Sequence, residues 1–203
     1  MSKVAILLAD GFETIEALAP ADVLRRGGVD VALVTINEAP HVTTAHGIGI
    51  DCDATIGAYD FSACDMVVLP GGMPGTTNLR ANERVCELTR EFLGHKKLGA
   101  ICAAPSIPAE LGLLEDRVAT CYPGCEGAFP AGVRPAELGV YTDGNLVTAS
   151  GPGFAVDFGL ALLALLEGRQ AADDVAAGML VEEMTGKTWE EFVKKEIFEP
   201  LGM

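Results

Sequence analysis

Five short apolar runs, Val4–Leu8, Val31–Ile36, Met66–Leu69, Leu98–Cys102 and Leu146–Ala149, recur along the chain. Segments of helical character, Ile15–Arg26, Asn82–His95, Ala103–Leu111 and Phe154–Leu166, lie between or after them. A run that is apolar at nearly every position has no polar face to give to water, so a strand made from it is covered on both sides. Strands of that kind, separated by helices, predict an α/β domain with a mostly parallel sheet and helices on both faces. Gly27-Gly28, Gly112, Gly168 and Gly178 stand where helices are expected to stop. The β-branched, glycine-containing stretch His41–Ile56 predicts a hairpin-like excursion.

With 203 residues, the chain has material for one domain, expected over 1–182, and a short helical extension over 183–203. Lys and Arg number 14 against 29 Asp and Glu, a net charge of −15. A surface of that sign repels phosphate backbones and anionic lipid, which disfavours nucleic-acid and membrane partners. The apolar stretches are also far shorter than the ~18–20 residues that span a bilayer. Six cysteines are scattered through a chain large enough to fold without staples, so free thiols in a reducing cytoplasm are expected.

Ligands of such sheets sit at the carboxyl ends of the strands, which directs attention to the loops there. Cys102 ends an apolar strand and is followed at once by small residues, the strand-turn-helix pattern that exposes a nucleophile. Backbone N–H groups at a helix start would lower its thiol pKa; a buried structural cysteine is the alternative. Glu16, early in the first helix, belongs to the same sheet edge. Held neutral, it can donate a hydrogen bond to sulfur and move a proton, whereas in water it is an ordinary first-turn acid. Pro70-Gly71-Gly72 permits close backbone approach, with the amides of Gly72 and Ala103 as oxyanion donors, or is simply a tight turn. His95 reads as a solvated helix-end residue and His41 and His46 as ordinary surface residues of the excursion, with an approach of His46 to the sheet's carboxyl edge as the alternative for that residue. Cys121 and Cys125 lack a second ligand pair at zinc spacing, so no metal site is expected, and either is a candidate resolving thiol.

Several stretches together resemble one family: Ala9-Asp10-Gly11-Phe12-Glu13-Thr14-Ile15-Glu16, Val67-Val68-Leu69-Pro70-Gly71-Gly72, Ala100-Ile101-Cys102-Ala103-Ala104-Pro105, Thr120-Cys121-Tyr122-Pro123 and Ser150-Gly151-Pro152-Gly153. In order and spacing, from about residue 2 to 181, they are similar to the ThiJ/PfpI superfamily, in the branch of YajL and the parkinsonism-associated deglycase. That resemblance implies a flavodoxin-like, class I glutamine amidotransferase-like sandwich, usually a homodimer. It maps the reactive cysteine to Cys102, the protonated glutamate to Glu16 and the oxyanion donors to Gly72 and Ala103. Gly71, His46, Tyr122 and Pro152 become substrate-pocket candidates. Implied activities are cofactor-free glyoxalase or deglycase chemistry on methylglyoxal and its adducts, with a role in oxidative stress. A redox sensor or chaperone built on the same oxidisable cysteine is the alternative. Tyr122 stands where the deglycase has histidine, and His46 lies near the position of an anion-binding arginine. Peptidase relatives place histidine directly after the cysteine; Ala103 follows here, which disfavours proteolysis.

Residues 185–203 resemble a short segment of penicillin-binding-type serine hydrolases, but the Ser-x-x-Lys motif of those enzymes is missing. Thr188 and Glu191 make a capping-box pattern, and Trp189, Phe192, Val193 and Ile197 share a helical face, so a docked helix is expected.

Overall fold

The computed structural model describes residues 1–130, 133–135 and 137–179, together with Glu199. β1 (Lys3–Leu8) leads into α1 (Thr14–Arg26) and β2 (Asp30–Thr35). The excursion follows, with β3 (His41–Thr43) and β4 (Gly49–Asp51) paired antiparallel and β5 (Ala54–Thr55) returning beside β2. Next come β6 (Met66–Leu69), α2 (Gly75–Ala81), α3 (Glu83–His95), β7 (Lys97–Ile101) and α4 (Ser106–Glu110). β8 (Val118–Ala119) and β9 (Arg134–Pro135) form a small separate pair, and β10 (Val140–Asp143), β11 (Leu146–Ala149), α5 (Ala155–Glu167) and α6 (Arg169–Met179) follow. The main sheet runs β10-β11-β7-β6-β1-β2-β5, parallel except for β10 against β11.

Alternation along β1 shows how the apolar runs are used. Val4, Ile6 and Leu8 face one core layer with Val23 and Leu24 of α1 and Phe158, Leu162 and Leu163 of α5. Ala5 and Leu7 face the other, with Leu88 and Phe92 of α3 and Ile107 of α4. Both faces of a period-two strand are therefore dry, which a continuous apolar run requires.

Three expectations need correction. The strand expected to reach Cys102 stops at Ile101, because Cys102 takes φ +64°. The helix expected over Ala103–Leu111 is only Ser106–Glu110: Pro105 has no N–H to give a carbonyl one turn back, and the chain closes i→i+3 turns there, from Ala104 to Ile101, Ser106 to Ala103 and Ile107 to Ala104. Gly178 lies inside α6 and does not end it. α2 and the edge strand β10 are elements that the apolar pattern did not announce. Asn82, by contrast, caps α3 by accepting from the Val85 N–H at 3.2 Å. The boundary near 182 and the expected helix with Trp189, Phe192, Val193 and Ile197 lie outside the described residues.

Candidate active site

Because β1, β6 and β7 are parallel neighbours, the loops at their carboxyl ends converge. The first is pinned from several sides. The Asp10 carboxylate accepts from the Thr43 N–H at 2.7 Å and from Asn37 Nδ2 at 3.1 Å, while the Gly11 N–H donates to the Thr43 carbonyl at 2.8 Å. Phe12 is fully buried, and the Glu13 N–H donates to the Gly71 carbonyl at 2.9 Å as α1 begins. Side chains on a helix lean toward its N-terminus, so Glu16 reaches back to the sheet edge. It is 0% exposed, and its Oε2 accepts from the Gly71 N–H at 2.9 Å.

Cys102 occupies the third loop, in a left-handed conformation uncommon for a residue with a side chain. Two hydrogen bonds hold it there: its N–H donates to the Ala149 carbonyl, and the Tyr122 N–H donates to its carbonyl, each at 2.8 Å. The half-buried thiol lies beside the Glu16 carboxyl, whose second oxygen, Oε1, is buried without a hydrogen-bond partner, and the backbone N–H groups of Ala103 and Gly72 are near enough to pull the thiol pKa down. Gly71 makes this closeness possible. A Cβ there would lie 2.7 Å from both Cys102 Cβ and Glu16 Oε2. Gly72 has φ +89° and passes so close to the Phe12–Glu13 backbone that no side chain fits.

Burial lifts the Glu16 pKa to about 7, against the pull of its hydrogen bonds with Cys102 and Gly71 and with a further push from Glu13. The thiol moves in the same direction. Burial, then the Glu16 charge and hydrogen bond, push Cys102 up to about 12, and the Ala103 and Gly72 N–H groups only partly oppose this. The lowered thiol pKa expected from a helix start is thus not what the elbow provides: α4 is five residues long and begins beyond Pro105. The two acids behave as a unit in which loss of one proton, near neutral pH, strongly defers loss of the second. Above that pH the pair holds a single negative charge, and three backbone N–H groups are arranged to accept it on carboxylate or on sulfur.

The remaining candidates lie around this pair. Tyr122 is half-exposed and, with Pro152, Leu138 and Phe154, lines a cavity of about 350 Å³ beside the elbow. The exposed His46 has Nε2 3.1 Å from Glu13 Oε2, which links it to the loop between β1 and α1 rather than to the thiol itself. His41 pairs with Asp51 at 2.9 Å, and His95 sits exposed at the end of α3. Cys121 is buried, Cys125 is half-buried, and both thiols are shifted upward, chiefly by burial. Sequence reasoning missed the bracing behind Tyr122, where the Thr120 and Ser150 hydroxyls meet at 2.8 Å and the Gly139 N–H donates to Ser150 Oγ at 3.0 Å. It also missed a second cavity, of about 270 Å³, that opens between Ala103, Ser106 and α2. Among the described residues, no group of three or more His, Cys, Asp or Glu is arranged to hold a metal, and no helix is long and apolar enough to cross a membrane.

A doubly wound, flavodoxin-like sheet that presents a cysteine on a strained elbow against a buried glutamate defines a class of α/β protein with an elbow thiol. Within that class, the chain belongs to the DJ-1/PfpI family, whose model matches residues 2–165. DJ-1 homolog B of Arabidopsis thaliana is 34% identical over 186 residues, covering 91% of this chain and 42% of the plant protein. DJ-1beta of Drosophila melanogaster is also 34% identical, over 184 residues, covering 89% and 98%. A deglycase of Pyrococcus abyssi is 31% identical over 153 residues, covering 74% and 91%. Among solved structures, oxidized DJ-1 of Toxoplasma gondii aligns with a TM-score of 0.84 at 30% identity, covering 88% of this chain and 98% of that one. The chain spans about half the length of the two plant relatives it matches, 42% of one and 50% of the other.

Proposed function

We propose that this protein is a cofactor-free cysteine enzyme that converts small reactive aldehydes of the methylglyoxal type, free or as amine adducts, with Cys102 as nucleophile and Glu16 as proton carrier. The observation that carries the reading is the placement of the thiol against a fully buried carboxyl across Gly71, where a Cβ would lie 2.7 Å from both Cys102 Cβ and Glu16 Oε2. Proton transfer from sulfur to Glu16 puts the single charge of the pair on sulfur. Sulfur then attacks the aldehyde carbon, and the new alkoxide oxygen takes the proton and forms a hemithioacetal. Glu16 carries a proton from the former aldehyde carbon to the adjacent carbonyl carbon through an enediol, which turns the hemithioacetal into a thioester. Water cleaves the C–S bond, releasing the 2-hydroxy acid and restoring the thiol. The net change is addition of one water, so no external oxidant or reductant enters. The Gly72 and Ala103 amides serve the developing oxyanion. The deglycase named among the relatives supports the adduct branch, in which the amine leaves after sulfur has taken its carbon.

A second reading, redox sensing at Cys102, is favoured by the same N–H groups, which suit a sulfenate or sulfinate oxygen as well as an oxyanion. A homodimer in the cytoplasm is part of the proposal, with no cofactor. Steady-state hydration of methylglyoxal by the wild-type protein and Cys102→Ser tests it. Wild-type turnover lost in the variant is expected, and a wild-type protein no faster than the variant overturns the enzyme reading.

A further inference from the structure

The second cavity lies between α2, α4 and the turn at 124–128. One end is walled by Ala103, whose N–H faces the Cys102 sulfur, and by Ser106. At the other end Arg80 of α2 and Glu110 of α4 form an ion pair across the opening, with side chains 42% and 41% exposed. Ser106 and Glu110 stand one helical turn apart, so the charged end is about 6 Å from the elbow end along α4. This ion pair has no other charged partner in the cavity lining and is half in water, where such a pair contributes little and parts readily.

We propose that this cleft is a subsite for the zwitterionic head of a free α-amino acid whose side chain carries the aldehyde adduct presented to Cys102, an inference that rests on the aldehyde-processing reading above. Arg80 takes the α-carboxylate through its planar fork and Glu110 takes the α-ammonium, so both partners of the ion pair are re-paired when it opens. A ligand with one charge leaves the other partner alone. An anion is in addition repelled by a protein of net charge −15, whereas a zwitterion is not. At about 270 Å³ the cleft is below the size of drug-sized ligand pockets and suits an amino acid rather than a folded peptide segment. An extended side chain of lysine length covers the stretch from the ion pair to Ser106, at the end of the cleft nearest the elbow.

Free L-lysine and Nα-acetyl-L-lysine amide, which lacks both head charges, are the probes. Calorimetric titration should show the wild-type protein binding free lysine at least about 10-fold tighter than the blocked form, the scale set by losing a charge-assisted hydrogen bond. Arg80→Gln and Glu110→Gln, each checked for an unchanged melting temperature, should bring that ratio close to one. The kcat/KM ratio for the methylglyoxal adducts of the two probes should follow the same pattern. Wild-type protein that binds both forms equally, or a preference that survives in both variants, overturns the subsite. If neither adduct turns over while free lysine still binds through Arg80 and Glu110, the subsite stands and the aldehyde-processing reading fails.

Discussion

Replacing Glu16 by glutamine isolates the electrostatics of the elbow in a stability measurement that needs no substrate. In the unfolded chain the carboxyl ionises near its ordinary 4.5, whereas in the folded protein burial holds the proton to about 7. Between those values the folded state binds the extra proton, so the unfolding free energy falls as pH rises. The stabilisation is fully present below 4.5 and is lost as pH rises through 7. A window of about 2.5 in pH at ~1.4 kcal/mol for each pH unit gives a loss of about 3 kcal/mol. Glu16 is completely buried, so solvent screening does not reduce that figure appreciably. Cys102, pushed up to about 12, adds nothing within the window, and linkage counts protons whether they sit on oxygen or sulfur. Urea unfolding of wild type and Glu16→Gln at a series of pH values across the window cancels every other titrating group in the difference. The wild-type advantage should shrink by about 3 kcal/mol from the acid end to neutrality. Parallel curves would refute the assignment of a retained proton to this site.

Cys102→Ser should lower methylglyoxal turnover more than ~100-fold with an unchanged circular dichroism spectrum, since a hydroxyl gives its proton to Glu16 far less readily than a thiol does and is the weaker nucleophile; wild-type rates in this variant would sink covalent catalysis. Gly71→Ala places a methyl 2.7 Å from both Cys102 Cβ and Glu16 Oε2. The overpacking should cost about 1–3 kcal/mol and abolish turnover, and a crystal structure with the Cys102–Glu16 contact intact would show that the close approach is not required. At limiting peroxide, peptide mapping should find Cys102 modified before the other five cysteines, because its sulfur has a carboxylate to take its proton and two N–H groups to hold an oxyanion; first modification at Cys121 or Cys125 contradicts this.

The continuous apolar runs Val4–Leu8 and Met66–Leu69 determined the central strands and their two-sided burial, since no other arrangement hides every side chain of such a run. From that followed the importance of the loops after them, and with it Cys102, Glu16 and Gly71-Gly72 as a group. Local sequence also set the start of α3 at Asn82, because a cap is a contact within one turn. Tertiary structure alone decided what the group is. Whether Glu16 was a solvated first-turn acid or a buried partner of sulfur depended on α1 meeting the 70–72 turn, 55 residues away at the Gly71–Glu16 hydrogen bond. The sign of the Cys102 shift was misread for the same reason: a sequence shows a helix start nearby but not the desolvation and the carboxylate that outweigh it. Tyr122 joined the elbow through one backbone hydrogen bond to Cys102, and Arg80 met Glu110 across two helices, the first of them absent from the apolar pattern. Period and propensity act over a few residues and are written in the chain; burial, charge coupling and cavities arise between segments far apart in it, so only the folded packing fixes them.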